Sequence, residues 1–138
     1  MKRRLAREAA FSLFYEAAVL GDMHKDTLAE MQDILKTEAL NEENHAYIEK
    51  VTEIYEEKQQ TIDAAIAPFC RAWKIERLSK VDLSILRLAL IELSEIEGIP
   101  YKVVINEAVE LAKKYGSDKS PAFIHGVLGA YLRENKIR

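Results

Sequence analysis

One cysteine, three prolines, five glycines and three histidines are all that 138 residues contain of the types that punctuate, cross-link or ligate. A lone Cys70 excludes an internal disulfide and a four-cysteine zinc site. So few glycines and prolines leave little room for turns, which favours helices over a sheet with many hairpins. No apolar run approaches the roughly 20 residues that a membrane span requires. Nor does an apolar segment of signal-peptide type follow Met1-Lys-Arg-Arg-Leu5, so a cytoplasmic address is expected. Charge of one sign is also missing. A formal net charge of −3 excludes a protein that coats nucleic acid through bulk charge, so any such site must be a local patch. Hydrophobic residues at 49% and charged residues at 31% are the balance of a folded chain, not a disordered one.

Periodicity predicts an all-α fold of about six to seven helices, arranged as two small packed bundles, residues 1–70 and 71–138. In the first helix, about Arg3 to Leu20, the residues Leu5, Ala6, Ala9, Ala10, Leu13, Phe14, Ala17 and Leu20 form one apolar stripe. Asp26 is the expected cap of a short second helix carrying Leu28, Met31, Ile34 and Leu35. Asn41 is the expected cap of a longer third one, stopped or kinked by Pro68. That third helix is acidic, with Glu42, Glu43, Glu49, Glu53, Glu56 and Glu57, which argues against RNA lying along it. Ser79 and Asp82 have the spacing of a capping box. They open a helix, through Ile96, so apolar on all sides that it must be surrounded. Gly98-Ile-Pro100 breaks it. A further helix ends at Gly116, where a left-handed cap is expected, and Ser120-Pro121 supplies a cap and first-turn proline for the last. Gly126 and Gly129 predict close approach of another helix.

Catalytic patterns are sparse, and the chain is not expected to be an enzyme. There is no HExxH motif, no Cys/His zinc spacing and no phosphate-cradling glycine loop. Glu42-x-x-His45 matches half of a di-iron carboxylate site, but residues 122–125 read Ala-Phe-Ile-His, so the second half is missing and no metal or cofactor is expected. Arg87, inside the apolar helix, needs a mate; Glu92 and Glu107 are candidates, and a structural ion pair is favoured over an active-site cluster.

Two basic and aromatic groups point elsewhere. Arg3, Arg4 and Arg7 fall within one arc of the first helix, continued by Phe11 and Tyr15. Guanidinium groups beside exposed rings neutralise phosphates and stack unpaired bases. The plainer alternative has solvated arginines and rings that complete the core. Lys113, Lys114, Tyr115, Lys119 and Phe123 surround the start of the last helix, whose free N–H groups suit a phosphate. Its plainer alternative is a lysine pair complementing a helix dipole, with Phe123 buried. Two such groups in one acidic chain strengthen an RNA reading that neither carries alone.

Four blocks in order resemble the NusB family of bacterial transcription antitermination factors. They are Arg3-Arg4-x-Ala6-Arg7-Glu8-x-Ala10; Val81-Asp82-x-x-Ile85-Leu86-Arg87-Leu88-Ala89-x-x-Glu92-Leu93; Pro100-Tyr101-Lys102-Val103-x-Ile105-Asn106-Glu107-Ala108-x-Glu110-Leu111-Ala112-Lys113; and Phe123-x-x-Gly126-Val127-Leu128. The resemblance implies a two-subdomain helical fold. It also implies binding of boxA-type single-stranded RNA from ribosomal RNA leaders, together with the ribosomal protein NusE, within the RNA polymerase antitermination complex. By position it assigns Arg3, Arg4, Arg7, Tyr115, Lys119 and Phe123 to RNA, and Tyr15 and Asp82 to NusE. It leaves monomer and homodimer open. His125 and Ile91 stand where the family usually has Asn and Tyr, which touches local contacts only. The runner-up is a helical protein–protein adaptor without RNA. A similar domain occurs fused to RNA methyltransferases, but the chain as given ends at Arg138 with no cofactor-binding domain.

Overall fold

The structure is a computed structural model that describes residues 2–21, 42–70 and 74–135. Among these, five α-helices and two short 3-10 turns account for the secondary structure, and no strand occurs. The helices are α1 (Lys2–Leu20), α2 (Glu42–Ile66), α3 (Lys80–Glu95), α4 (Tyr101–Tyr115) and α5 (Ser120–Glu134). The all-helical expectation holds, and five of the expected six to seven helices fall among the described residues. The short helix expected at 26–35 and the Asn41 cap lie outside the described residues.

The chain clusters into two compact units, residues 1–57 and 58–138. In the first, Ala6, Ala9, Ala10, Leu13 and Phe14 of α1 are buried, as are Ile48, Val51 and Tyr55 of α2. The rings of Phe14 and Tyr55 meet at 4.4 Å between centroids. Gly21 closes α1 at φ +81, its N–H donating to the Ala17 carbonyl at 2.8 Å; this is a left-handed cap that glycine adopts without penalty. Leu20, expected in the core, is 60% exposed. Within α2 the backbone leaves helical geometry at Lys58 (φ −123, ψ 17), a break that no proline or glycine announces. Pro68 does end the element, in a 3-10 turn at Ala67–Phe69.

The second unit is built around α3. Every residue from Leu83 to Glu92 is buried, as a helix apolar on all sides demands. α4 and α5 pack on it and on each other. The buried Arg87 is held by a two-pronged bridge to Asp63: Nε donates to Oδ1 and Nη2 to Oδ2, both at 2.8 Å. The favoured structural ion pair is therefore present, with a mate that the sequence reading did not name. Gly98, at φ +87, turns the chain between α3 and α4.

Three local expectations are corrected. Gly116 is not left-handed; its φ is −93 and ψ −169. Glycine is required there by crowding, because a Cβ would lie 2.5 Å from the Ser120 Oγ and 2.9 Å from the Ala112 carbonyl oxygen. Ser120 does not cap α5 but is its first residue, buried, with its hydroxyl accepting the Ser117 N–H at 3.0 Å. No helix among the described residues approaches Gly126, whose Cβ position is open for 4 Å.

Candidate nucleic-acid interface

The three N-terminal arginines do not form a uniform patch. Arg3 is half-buried; its Nε donates to Asn44 Oδ1 at 2.7 Å, and its guanidinium carbon stands 4.6 Å from the centre of the Tyr47 ring. Arg4 is exposed. Arg7 is only 6% exposed. Phe11 is buried too, so that ring completes the core, while Tyr15 stays 41% exposed. At about 100° per residue, Arg4 and Tyr15 fall within roughly 20° of one line along α1. Phe11 lies about 20° to the other side of Arg4 and Arg7 about 60°, so the edge of the interior falls within this one arc, with Phe11 and Arg7 inside it and Arg4 and Tyr15 outside. Val19 lies one turn beyond Tyr15 and is 51% exposed, so Tyr15 stands within an exposed apolar strip that the periodicity did not single out.

In the second unit, a cavity of about 320 Å³ opens between the start of α3 and the start of α5. Arg77, Leu78, Ser79 and Asp82 form one wall, and Ser117, Lys119, Ser120 and Phe123 the other. Its geometry follows from two local knots. On the first wall, Ser79 caps α3 by accepting the Asp82 N–H at 3.0 Å. The reciprocal half of a capping box is unmade: Asp82 Oδ1 is screened from water and has no hydrogen-bond partner. Aspartate is one methylene shorter than the glutamate that usually reaches back. The α3 dipole favours its charge, but an orphaned buried acceptor still costs about 1–3 kcal/mol. On the second wall, the Ser117 and Ser120 hydroxyls approach to 3.3 Å, and Ser117 Oγ accepts the Lys119 N–H at 3.3 Å. These bonds hold the turn that presents Lys119 and Phe123.

The start of α5 is a poorer phosphate cradle than expected. The Ser120 N–H is taken by the Ser117 carbonyl, the Phe123 N–H by the Lys119 carbonyl, and Pro121 has none. Positive charge here is a matter of side chains, namely Lys119 and Arg77, both exposed. Arg77 was missed; its only signal is a basic residue two places before the Ser79 cap. Tyr115, 40% exposed with Lys114 Nζ 5.4 Å from its ring centre, does not line the cavity. Asp82, assigned by resemblance to a different face from Lys119 and Phe123, shares this cavity with both.

The two departures from the family pattern lie elsewhere. His125 is exposed and lines a separate groove of about 380 Å³ with Tyr101, Ile105 and Asn106. Ile91 is fully buried, so the missing hydroxyl is an interior matter. His45 Nδ1 stands 3.4 Å from Glu49 Oε1, and no group of three or more potential metal ligands occurs among the described residues.

Comparison with known proteins adds three findings. The NusB family model matches residues 4–133. The transcription antitermination protein NusB of Natranaerobius thermophilus is 48% identical, with both chains covered in full, and that of Clostridium botulinum is 41% identical over 96% of this chain and all of its own. Among solved structures, Thermotoga maritima NusB superposes with a TM-score of 0.82 at 30% identity, covering 96% of this chain and 91% of its own. A chain from the crystal structure of the antitermination factors NusB and NusE in complex with double-stranded RNA reaches 0.84 at 26% identity, covering 96% and 97%.

Proposed function

The chain belongs to the NusB family, and on that premise we propose that it is an RNA-binding transcription antitermination factor. It binds boxA-type RNA of ribosomal RNA leaders together with the ribosomal protein NusE, and serves the RNA polymerase antitermination complex by binding, not by chemistry. One observation carries the reading: a chain matching antitermination proteins over its length presents exposed cations beside a ring at a preformed cavity. Lys119 and Phe123 serve the RNA there, the first against phosphate and the second as a stacking face. Arg4 and Arg3 contribute from α1, Arg7 supports them from beneath, and Tyr115 adds an exposed ring beside Lys114. Tyr15, with Val19 next to it, is the protein-facing element, because an exposed ring in an apolar strip suits a protein partner better than a phosphate chain. No described helix is long and apolar enough to cross a membrane, and a cytoplasmic address accords with a role in transcription.

The test is binding of a short boxA-type RNA across a salt titration, with and without NusE. Each phosphate neutralised on a single strand adds about 0.7 to the slope of log affinity against log salt. A handful of cations therefore predicts modest affinity alone and tighter binding with the partner. Replacing Arg4 and Lys119 with alanine lowers affinity and flattens the slope. If RNA is ignored under every condition while NusE still binds through Tyr15, the chain is a protein adaptor and the RNA assignment is wrong.

A further inference from the structure

We propose that Asn44 and Tyr47, in the first two turns of α2, are positioning residues for RNA: together they hold the Arg3 guanidinium as a preset, fully charged fork for one phosphate. The inference rests on the RNA reading above. It adds the residues that orient a contact, on a helix whose acidic sequence argued against RNA lying along it.

Arg3 sits in the first turn of α1, and Asn44 and Tyr47 are both buried in the opening of α2. Arg3 Nε donates to Asn44 Oδ1 at 2.7 Å across 41 residues of chain. The guanidinium carbon lies 4.6 Å from the centre of the Tyr47 ring, within reach of a cation–π contact. One contact fixes an edge of the planar group and the other supports a face. Among the described residues Arg3 has no further partner, and it stays partly exposed. The edge left over is the pair of Nη groups, a fork that takes two oxygens of one phosphate.

Neither contact cancels the charge. Asn44 is a neutral acceptor, unlike the carboxylates around it in sequence at Glu42, Glu43 and Glu49. Arg87 is the counterexample within the same chain: its Nε and Nη2 both go to Asp63, which neutralises it. A long side chain ordinarily gives up its rotamer freedom on binding, which costs affinity. Arg3 has given it up in the free protein, because its anchors are buried side chains. A lysine could not be held this way, for it has neither the Nε donor nor the planar face.

The experiment measures binding of a fluorescent boxA-type RNA by anisotropy over a salt series, at a temperature well below each chain's melting transition by circular dichroism. Asn44→Ala weakens binding about two- to tenfold, the cost of immobilising one long side chain, with the salt slope near that of wild type because the charge remains. Asn44→Asp keeps the bond to Nε yet lowers the slope by up to about 0.7, because its carboxylate cancels the charge offered to phosphate. Tyr47→Phe keeps the ring face and the affinity, whereas Tyr47→Leu loses as Asn44→Ala does. In an Arg3→Ala background neither Asn44→Ala nor Tyr47→Leu changes binding further, the signature of residues that act through Arg3. An equal loss in that background overturns the proposal, since both residues then act through the fold. Wild-type binding by Asn44→Ala or Tyr47→Leu overturns it as well. So does weakened binding of NusE with RNA affinity unchanged, which reassigns the fork to a protein carboxylate. If wild type binds the RNA under no condition, with or without NusE, the RNA reading itself fails and this inference falls with it.

Discussion

Exposure sorts the three N-terminal arginines into different jobs, and the sorting is measurable. Arg4 is exposed, Arg3 is braced by Asn44 and Tyr47, and Arg7 is 6% exposed. Arg4→Ala removes one cation from the surface. Losing one phosphate contact lowers the salt slope by about 0.7, which over the decade from about 1 M to 0.1 M salt accumulates to about fivefold weaker binding at the lower salt. Thermal stability stays within about 0.5 kcal/mol, since nothing buried changes. Arg7→Ala has the opposite profile. It removes packed hydrocarbon and strands whatever the guanidinium meets inside, for about 2 kcal/mol, or roughly 7 °C in Tm for a chain of this size. The salt slope stays near that of wild type once the measurement is made well below the transition. Arg7→Lys separates charge from shape: it preserves the charge, yet leaves most of the stability loss, because an ammonium cannot replace a packed planar fork. Anisotropy over the salt series and melting by circular dichroism, on the same preparations, give both numbers. If Arg7→Ala melts like wild type and flattens the slope while Arg4→Ala changes neither, burial does not sort these residues and the α1 assignment is refuted.

Other outcomes follow from the second unit. Asp63→Ala leaves Arg87 without its two-pronged mate; discounted for the 22% exposure of the Asp63 side chain, the cost is about 2–4 kcal/mol by urea denaturation. Adding Arg87→Met recovers at least half, and a double variant no more stable than the single one contradicts the ion-pair account. Gly116→Ala destabilises by about 1–3 kcal/mol because its Cβ collides with both Cβ and Oγ of Ser120, and Ser120→Ala does not restore it, since the Ser120 Cβ stays 2.6 Å away; a Gly116→Ala chain that melts like wild type contradicts the contact account. Burial pushes the Cys70 thiol above its usual 9.0, and burial, then the charge of Glu95, pushes the Tyr131 phenol above 10.0. Both groups hold their proton longer folded than unfolded. Their contribution is therefore intact below about pH 9 and lost as pH rises through the folded values. Cys70→Ala and Tyr131→Phe together flatten the fall in urea midpoint between about pH 8 and pH 10.5; an unchanged alkaline fall counts against this origin.

What the sequence made legible was whatever a single element declares about itself. The dense apolar run from Leu83 to Ile91 has one reading, a surrounded helix, and Ser79 before Asp82 marks its start. Gly98-Ile-Pro100 cannot continue a helix, and it does not. What stayed hidden depends on neighbours far along the chain. Arg7 and Phe11 share a helix arc with exposed residues, and nothing in α1 itself marks where along that arc the interior ends. Asp63 is 24 residues from Arg87, and nothing nearer in sequence marked it. Lys58 interrupts α2 with no breaker residue. At the cavity, Lys119 and Phe123 were visible as a basic and aromatic pair, whereas Arg77 and the orphaned Asp82 oxygen became apparent only when two walls were brought together.

Gly116 shows why motif matching and site reading diverge. Its place after a helix suggests handedness as the reason for glycine, but the backbone is extended and the reason is contact. The absent side chain lets Ser120 enter the core, where its hydroxyl takes the Ser117 N–H. That bond fixes the turn, and the turn sets the place of Lys119 and Phe123 on the cavity wall. A residue with no chemistry of its own thereby governs where a cation and a ring stand, so Gly116→Ala is expected to weaken RNA binding even under conditions where the chain remains folded. The opposite wall is set independently, by the Ser79 cap on α3. Two separate local bonds, one on each wall, thus determine the width of the cavity. The charges around the cavity attract every sequence alike, whereas its shape rests on two uncharged hydrogen bonds and one missing side chain, so a change at Gly116 alters the fit of a ligand without altering the salt slope.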